Sequence, residues 1–366
     1  MALQFVPLAE KYIDAARAFN KRMREARAAT SFLLPEETSE PPESAESSIQ
    51  RQQLIALDDG EVRGGVIEVE QPGWLNGHTV RALNYQSPLS EGIIDRKSAL
   101  IAAQMVKFME RRAEAVFIVG MGSADNRLPR LLKAAGWSLR GVPFLFRVHN
   151  KRAFLNQLPI LHSSSVRHLV TRTASATGIG ALALKLLQWR RTNPNGSIHR
   201  ESCWGSWADE IWKGFREQCS FAVERDRKTL ESLYPPSDSR LHILLVRHKG
   251  EPAGWAVCME VQTKNSPYFG SLRVGAILDC AALPGTVSDT AVLADRYMAG
   301  RNMDLVFVNH SHAAWVRAFR LAGFLSGPSN YQIGMSKALA QAVRIQPGGD
   351  ESVHVTRGDG DGRCNL

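Results

Sequence analysis

Cysteine is scarce in this chain: five residues in 366, Cys203, Cys219, Cys258, Cys280 and Cys364, with no CxxC pair. That spacing excludes a disulfide framework and a structural zinc, and leads us to expect a reduced, cytoplasmic setting with no metal. Long apolar runs are lacking too. The longest uncharged, fairly apolar stretch, Thr173 to Leu184, is too short to span a bilayer, which takes about 20 residues. Met1 to Asn20 carries Glu10, Lys11, Asp14 and Arg17 where a secretory signal would be apolar. Acidic residues are outnumbered, 36 against 45 Lys and Arg, giving a net charge of +9. This favours anionic partners such as CoA, nucleotide sugars, RNA or a membrane surface, without choosing among them. What remains is globular: 44% hydrophobic and 22% charged residues, enough for sizeable cores, in a length that predicts two domains.

A repeat organises the chain. Strand Leu54 to Leu57, the turn Gly60-Glu61-Val62-Arg63-Gly64 and strand Val66 to Val69 are matched later. The counterparts are Ile243 to Val246, Gly250-Glu251-Pro252-Ala253-Gly254 and Trp255 to Val261. Both read as hairpins with a glycine bend. A strand follows in each half (Thr79 to Tyr85; Arg273 to Cys280), then a helix (Asp95 to Arg112; Ser288 to Ala299) and a short strand (Ala115 to Val119; Asp304 to Val308). That order implies a right-handed crossover and a parallel pair. Leu128, Leu131, Leu132 and Ala135 then mark one helix face, closed by Gly136-Trp137. Trp315, Ala318, Phe319 and Ala322 repeat the spacing, closed by Gly323-Phe324. Final strands are expected at Val142 to Val148 and Tyr331 to Ser336.

A helical region precedes each copy, Glu10 to Arg27 and Trp207 to Leu233. Between the copies, Asn150 to Ser206 is expected to be a linker, helical around Gly180 to Arg191 and broken at Asn193-Pro194-Asn195-Gly196. Pro35 to Ser48 reads as a solvated loop. The predicted division is 1–150, a linker 151–206, 207–345, and a flexible tail 346–366 without core-forming residues.

This order of elements resembles the acyl-CoA N-acyltransferase (GNAT) superfamily, in two fused copies covering almost the whole chain. It is similar to tandem proteins of bacterial surface-polysaccharide gene sets, whose Phe19-Asn20-x-Arg22-Met23 helix and Val355-Thr356-Arg357-Gly358-Asp359-Gly360-Asp361-Gly362 tail it shares in outline. The resemblance implies an α/β fold of two mixed sheets flanked by helices. It also implies acyl transfer from acetyl-CoA or another acyl-CoA to an amine, with an amino sugar or nucleotide sugar as acceptor. Such chemistry needs a helix N-terminus for the pyrophosphate, a free strand edge for the pantetheine amides and a base for the attacking amine.

The sequence departs from the family at the phosphate loop, which lacks the usual pair of glycines in both halves. The matching stretches hold Gly92, Arg96 and Lys97 in the first half. In the second they hold Gly285, Thr286, Val287, Ser288 and Asp289, with Ser288 or Asp289 as N-cap; either loop also reads as an ordinary helix cap. The family's Tyr, four residues before the closing Gly, is replaced by Leu132 and Phe319, which leaves Tyr331 or water as proton donor. Asp279, a carboxylate within an apolar strand, is the candidate base, with a raised pKa expected on burial; the alternative is an Asp satisfied by backbone or Arg. His310 and His312 are expected to titrate near neutrality, as base, substrate contacts or solvated loop residues. Asn309, and Asn84, Tyr85 and Gln86 in the first half, are candidate acceptor contacts. The second half is expected to carry the chemistry.

Two rival readings stand beside this one. A Fem-like transferase would take its donor from aminoacyl-tRNA, the single case in which nucleic acid enters. A pair of degenerate halves would serve as a binding or scaffold module. Lys185 to Arg191, apolar with a cationic end, suits peripheral contact with an anionic membrane, or packing between domains.

Overall fold

The computed structural model describes residues 3–28, 32–37, 48–123, 125–157, 179–189, 193–345 and 348–360. Its elements begin with β1 (Gln4–Pro7), α1 (Ile13–Glu25), β2 (Gln50–Asp58), β3 (Glu61–Leu75) and β4 (His78–Ser90). Next come α2 (Ala99–Glu110), β5 (Ala115–Val119), α3 (Arg127–Ala134), β6 (Ser138–Gly141), β7 (Phe144–Val148), α4 (Lys151–Gln157) and α5 (Ile179–Leu187). The second copy opens with β8 (Ser197–Glu201), α6 (Trp207–Arg216), β9 (Phe221–Val223), α7 (Arg227–Leu233), β10 (Leu241–His248) and β11 (Glu251–Gln262). It closes with β12 (Arg273–Ala282), α8 (Val287–Gly300), β13 (Leu305–Asn309), α9 (Ala313–Leu321), β14 (Leu325–Gly327), β15 (Gln332–Met335) and α10 (Lys337–Arg344).

Two compact units result, Met1–Arg140 with Gln332–Pro347, and Gly141–Tyr331 with Gly348–Leu366. Within the first, strands run in the order β1-β2-β3-β4-β5-β15-β6; within the second, β14-β7-β13-β12-β11-β10-β8. Each sheet contains a parallel pair, β4 with β5 and β12 with β13, among antiparallel neighbours such as β2–β3 and β10–β11. The repeat is present, but its last strands are exchanged. β15 pairs with β5 in the first unit, and β7 pairs with β13 in the second. The division at residue 150 expected from the repeat therefore cuts across both units.

Local chemistry explains the matched elements. The hairpins bend at Asp59-Gly60 and Lys249-Gly250, each pair at positive φ (49 and 82°; 52 and 90°), the geometry of a two-residue turn that suits the strand twist. The second glycine of each motif lies inside its strand. A Cβ at Gly64 would meet Leu89 O at 2.5 Å, and one at Gly254 would strike the Thr290 hydroxyl, so close packing selects them. α3 and α9 both stop at a left-handed glycine, Gly136 (φ 87°) and Gly323 (φ 93°). The Trp137 and Phe324 amides then donate back to Leu132 and Phe319 carbonyls at 3.0 Å, closing both helices by the same motif.

α1 buries Ile13, Ala16, Phe19, Asn20 and Met23 on one face, against Leu34, Ile55, Val62 and Leu89. Burying Phe19 and Met23 is worth about 1.5–3 kcal/mol each. Asn20 is satisfied within that core: Nδ2 donates to Leu34 O at 2.9 Å and Oδ1 accepts from Leu34 N at 3.0 Å. Most of Pro35 to Ser48 lies outside the described residues, as does 158–178 of the expected linker. Leu182 and Leu186 within α5, and Trp189 just past it, are exposed, and Arg190 and Arg191 fall outside the described residues. No described helix is long and apolar enough to cross a membrane.

Candidate functional site

In both sheets the parallel pair is short, and its strands then part. β4 pairs with β5 over Ala82–Asn84 alone and continues to Ser90 against β3. At the parting point its register with β3 shifts, where Ser87 takes a φ of 46°. β12 pairs with β13 from Val274 to Ile277 and continues to Ala282, with a register shift opposite Val257/Cys258. Bulges of this kind re-aim a strand and end its pairing. Past these short parallel pairs, β4 has no further pairing with β5, and β12 has none with β13; each parting is a gap in the pairing.

The gap in the second unit is filled by the chain's own C-terminal segment. Phe221 pairs in parallel with Val353, and Thr356 pairs with His310 just beyond β13. The His354 amide donates to Phe221 O at 2.8 Å, and the Ser311 amide to Val355 O at 3.0 Å. Val353, His354, Val355, Thr356 and Asp359 are buried. The flexible tail expected from its polar, glycine-rich composition is, over residues 348–360, packed chain; Asp361 and Gly362 lie outside the described residues.

Asp279 lies at the centre of this packing. β9 leads into Arg225, and Asp226 then caps α7 by accepting the Thr229 amide at 2.8 Å, which fixes the turn. Arg225 Nε donates to Asp279 Oδ2 at 2.6 Å, and its Nη2 pairs with Asp359. All three side chains are fully buried. The Tyr234 hydroxyl, from the end of α7, donates to Asp279 Oδ2 at 2.9 Å, and the Cys280 amide to Oδ1 at 2.9 Å. Burial alone would raise the Asp279 carboxyl. Arg225, with His354 nearby, outweighs it and holds the group below the usual carboxylate range. The raised pKa expected of a base is therefore not found; the neighbouring guanidinium reverses it. Arg225, Tyr234, His354 and Asp359 escaped sequence reasoning. The one signal was three charged residues, Glu224-Arg225-Asp226, straight after an apolar strand.

The histidines also differ from expectation. His310 is fully buried, stacked on Trp315 at 5.4 Å and edge-on to His354 at 4.9 Å. Burial first, then His354 and His312, push its pKa well below 6.5. His312 caps α9, accepting the Ala314 amide at 3.3 Å, and is lowered to about 4 by burial and by His354. Neither titrates near neutrality, because both are buried beside His354. Tyr331 precedes β15 and donates from its hydroxyl to Thr356 O at 3.2 Å. Asn309 Oδ1 accepts from Arg357 at 3.3 Å. Asp279, His310, His312, Tyr331 and Asn309 are thus brought together, around the C-terminal segment. No group among the described residues has the arrangement of a metal site.

The second phosphate loop is also engaged internally. α8 starts at Val287 with Thr286 as N-cap, where Ser288 or Asp289 was expected. Thr286 Oγ1 lies 2.9 Å from the carbonyls of Ala253 and Leu283. Asp289 puts its carboxylate in the first turn, accepts the Asn195 amide at 3.0 Å and lies 3.4 Å from His248. A carboxylate there already answers the helix dipole. Gly285 (φ 85°) faces open space.

In the first half, Gly92 does not offer a free N–H: it donates to Ser90 Oγ at 3.2 Å, within a turn too tight for a Cβ. The expected helix start at Asp95 is a separate turn, in which Asp95 accepts the Lys97 amide at 3.0 Å; α2 begins at Ala99. Glu91, buried beside this turn, pairs with Arg22 at 2.5 Å and Arg63 at 2.8 Å, which accounts for the arginine of the Phe19-Asn20-x-Arg22-Met23 helix. Arg96 and Lys97 are exposed. Asn84 and Tyr85 are buried where β4 leaves β5, and burial raises the Tyr85 hydroxyl so that it stays protonated. Gln86 is half-buried and accepts from Arg51 at 3.3 Å. Leu132 and Phe319 are fully buried and carry no proton to give.

No protein-family model matches this chain, and no curated protein matches it. Solved structures do. A protein from Enterococcus faecalis described as a probable N-acyltransferase is 8% identical and superposes with a TM-score of 0.50, over 95% of this chain and 75% of that one. The two chains share a fold. Also similar are a GCN5-related N-acetyltransferase from Anabaena variabilis (12% identity, TM-score 0.46, 91% and 72% covered) and Saccharomyces cerevisiae N-myristoyltransferase with bound myristoyl-CoA (8%, 0.44, 92% and 79%). At these identities the likeness concerns architecture: mixed α/β, two mixed sheets flanked by helices.

Proposed function

We propose that this chain is an acyl-CoA-dependent N-acyltransferase whose donor arm enters the gap between β4 and β5 of the first unit. One observation carries the reading. β4 loses its β5 partner after Asn84, bulges at Ser87 and keeps a strand edge along the gap, the geometry a pantetheine arm needs to add as a strand. At the equivalent place in the second unit an extended peptide is held by backbone hydrogen bonds to β9 and to the residues just past β13, beside Asp279 of β12, which supports this region of the fold as a binder of amide-bearing chains. Arg96 and Lys97 supply positive charge at the head of α2, suited to the CoA phosphates. The proposed donor site is thus in the first half, where the sequence pattern predicts the second.

In the reaction the acceptor amine attacks the thioester carbonyl, loses a proton to a base or water, and the thiolate leaves protonated. Gln86, half-buried on β4 just past its pairing with β5, is the residue we assign to contact with acyl or acceptor groups; Tyr85, beside it, packs into the core against Trp137 and supports the strand. A nucleotide sugar carrying an amine, anionic through its diphosphate, fits the basic chain as acceptor. Thermal unfolding with excess CoA, acetyl-CoA and a longer acyl-CoA tests the donor. Ligand at 100 times its dissociation constant adds about 2.7 kcal/mol to the native state. No shift with any of the three overturns the proposal and favours the scaffold reading, to which the degenerate phosphate loops already lend support.

A further inference from the structure

We infer that the C-terminal segment Val353–Asp359 is a permanent occupant of the gap between β12 and β13, so that the second half takes no acyl-CoA and the chain holds a single donor molecule.

Three independent features carry this. The segment is hydrogen-bonded on both sides, to Phe221 through the His354 amide and to Ser311 through the Val355 carbonyl and amide, the latter to Ser311 Oγ at 2.7 Å. Its end is held by a buried bridge in which one guanidinium, Arg225, carries two carboxylates, Asp279 from the strand edge and Asp359 from the segment. Asp359 Oδ2 also accepts the Thr356 amide at 2.7 Å, so the turn that presents it closes on itself. Finally, Gly358 packs against the Tyr234 hydroxyl and Asp279 with no room for a Cβ. A segment that left would strand Arg225 with one carboxylate and leave the Phe221 carbonyl and the Ser311 amide without their hydrogen bonds. A thioester arm entering between β12 and β13 would meet Gly358 beside Asp279 and Thr356 paired with His310. The Asp289 carboxylate at the head of α8 reinforces the exclusion, since an incoming phosphate would meet a negative charge there.

The assignment of the donor to the first half rests on the acyltransferase reading; the closure of the second gap does not. Hydrogen exchange on the full chain, with and without saturating acetyl-CoA, separates the two. Amides of residues 354–359 should exchange as slowly as those of β12, and acetyl-CoA should leave them unchanged while protecting Gln86 to Ser90. Asp359→Asn should speed exchange of the segment at least tenfold and leave the Gln86 to Ser90 protection in place. Exchange of the segment at loop rates without ligand overturns the inference. So does faster exchange on adding acetyl-CoA, or new protection at Leu278 to Ala282. A slow segment with no acetyl-CoA effect anywhere upholds the closed gap and sinks the acyltransferase reading alone.

Discussion

Arg225 and Asp279 form a fully buried ion pair, Nε to Oδ2 at 2.6 Å, between the turn after β9 and the parted edge of β12. The pair turns a residue that reads as a catalytic base into one that holds the second sheet to its neighbours. Asp279→Asn should therefore cost about 3–5 kcal/mol, the usual penalty for removing one partner of a buried pair. Urea unfolding measures it. A base would behave differently, losing turnover at unchanged stability.

Proton uptake should destabilise the second unit well above the range where carboxylates titrate. His312 is lowered to about 4 from 6.5, so between those values the unfolded chain binds the proton that the folded chain refuses. Stability then falls as pH drops from 7 to 4, by about 3 kcal/mol for this group at roughly 1.4 kcal/mol per unit. His310, lowered further, adds to the slope. His312→Asn keeps a helix cap without the titration, and should flatten the pH dependence of the urea midpoint. Asp279 has the opposite chemistry but the same direction. Its depressed pKa gives stability present above the ordinary value of 3.8 and lost only as pH falls well below it.

A methyl group at Gly358 would collide with the Tyr234 hydroxyl and approach Asp279 Oδ2 at 3.1 Å. Gly358→Ala is expected to cost about 1–3 kcal/mol, the range for overpacking a filled site. Gly60→Ala, whose Cβ would meet nothing, tests backbone strain alone at φ 82° and should cost about 1 kcal/mol. Thermal melts of the two variants side by side distinguish packing of the C-terminal segment from turn geometry.

Arg96 and Lys97 are exposed at the head of α2. Their joint replacement by alanine should weaken acetyl-CoA binding about five- to tenfold, as two solvent-screened charges allow, and the difference should shrink at high salt. Isothermal titration at two ionic strengths checks this. Equal affinity for variant and parent would remove both cations from the donor site.

The element order was legible because each clue is local. Gly136-Trp137 and Gly323-Phe324 close their helices through contacts within six residues, and Asp59-Gly60 and Lys249-Gly250 bend within two. The exchange of β7 and β15 was not legible. Phe144 to Val148 and Gln332 to Met335 read as strands, but alternation says which face of a strand is buried and never which sheet receives it. The C-terminal segment was hidden for a related reason. Gly358 and Asp359 look like solvated chain until Arg225 is brought beside them from 134 residues away. The same distance concealed the site: Asp279 stands out as a carboxylate in an apolar strand, while the partner that decides its charge, Arg225, lies outside its own motif.

The exchanged strands also order events during synthesis. β15, which the first sheet takes beside β5, leaves the ribosome about 200 residues after β5, a delay of roughly 10–40 s at ordinary elongation rates. Through that interval the nascent first half exposes the free edge of β5, while β7 is already made and waits for β13. An early stop codon near the repeat boundary would thus yield neither half intact, and the growing chain should depend on chaperones until its last helix emerges.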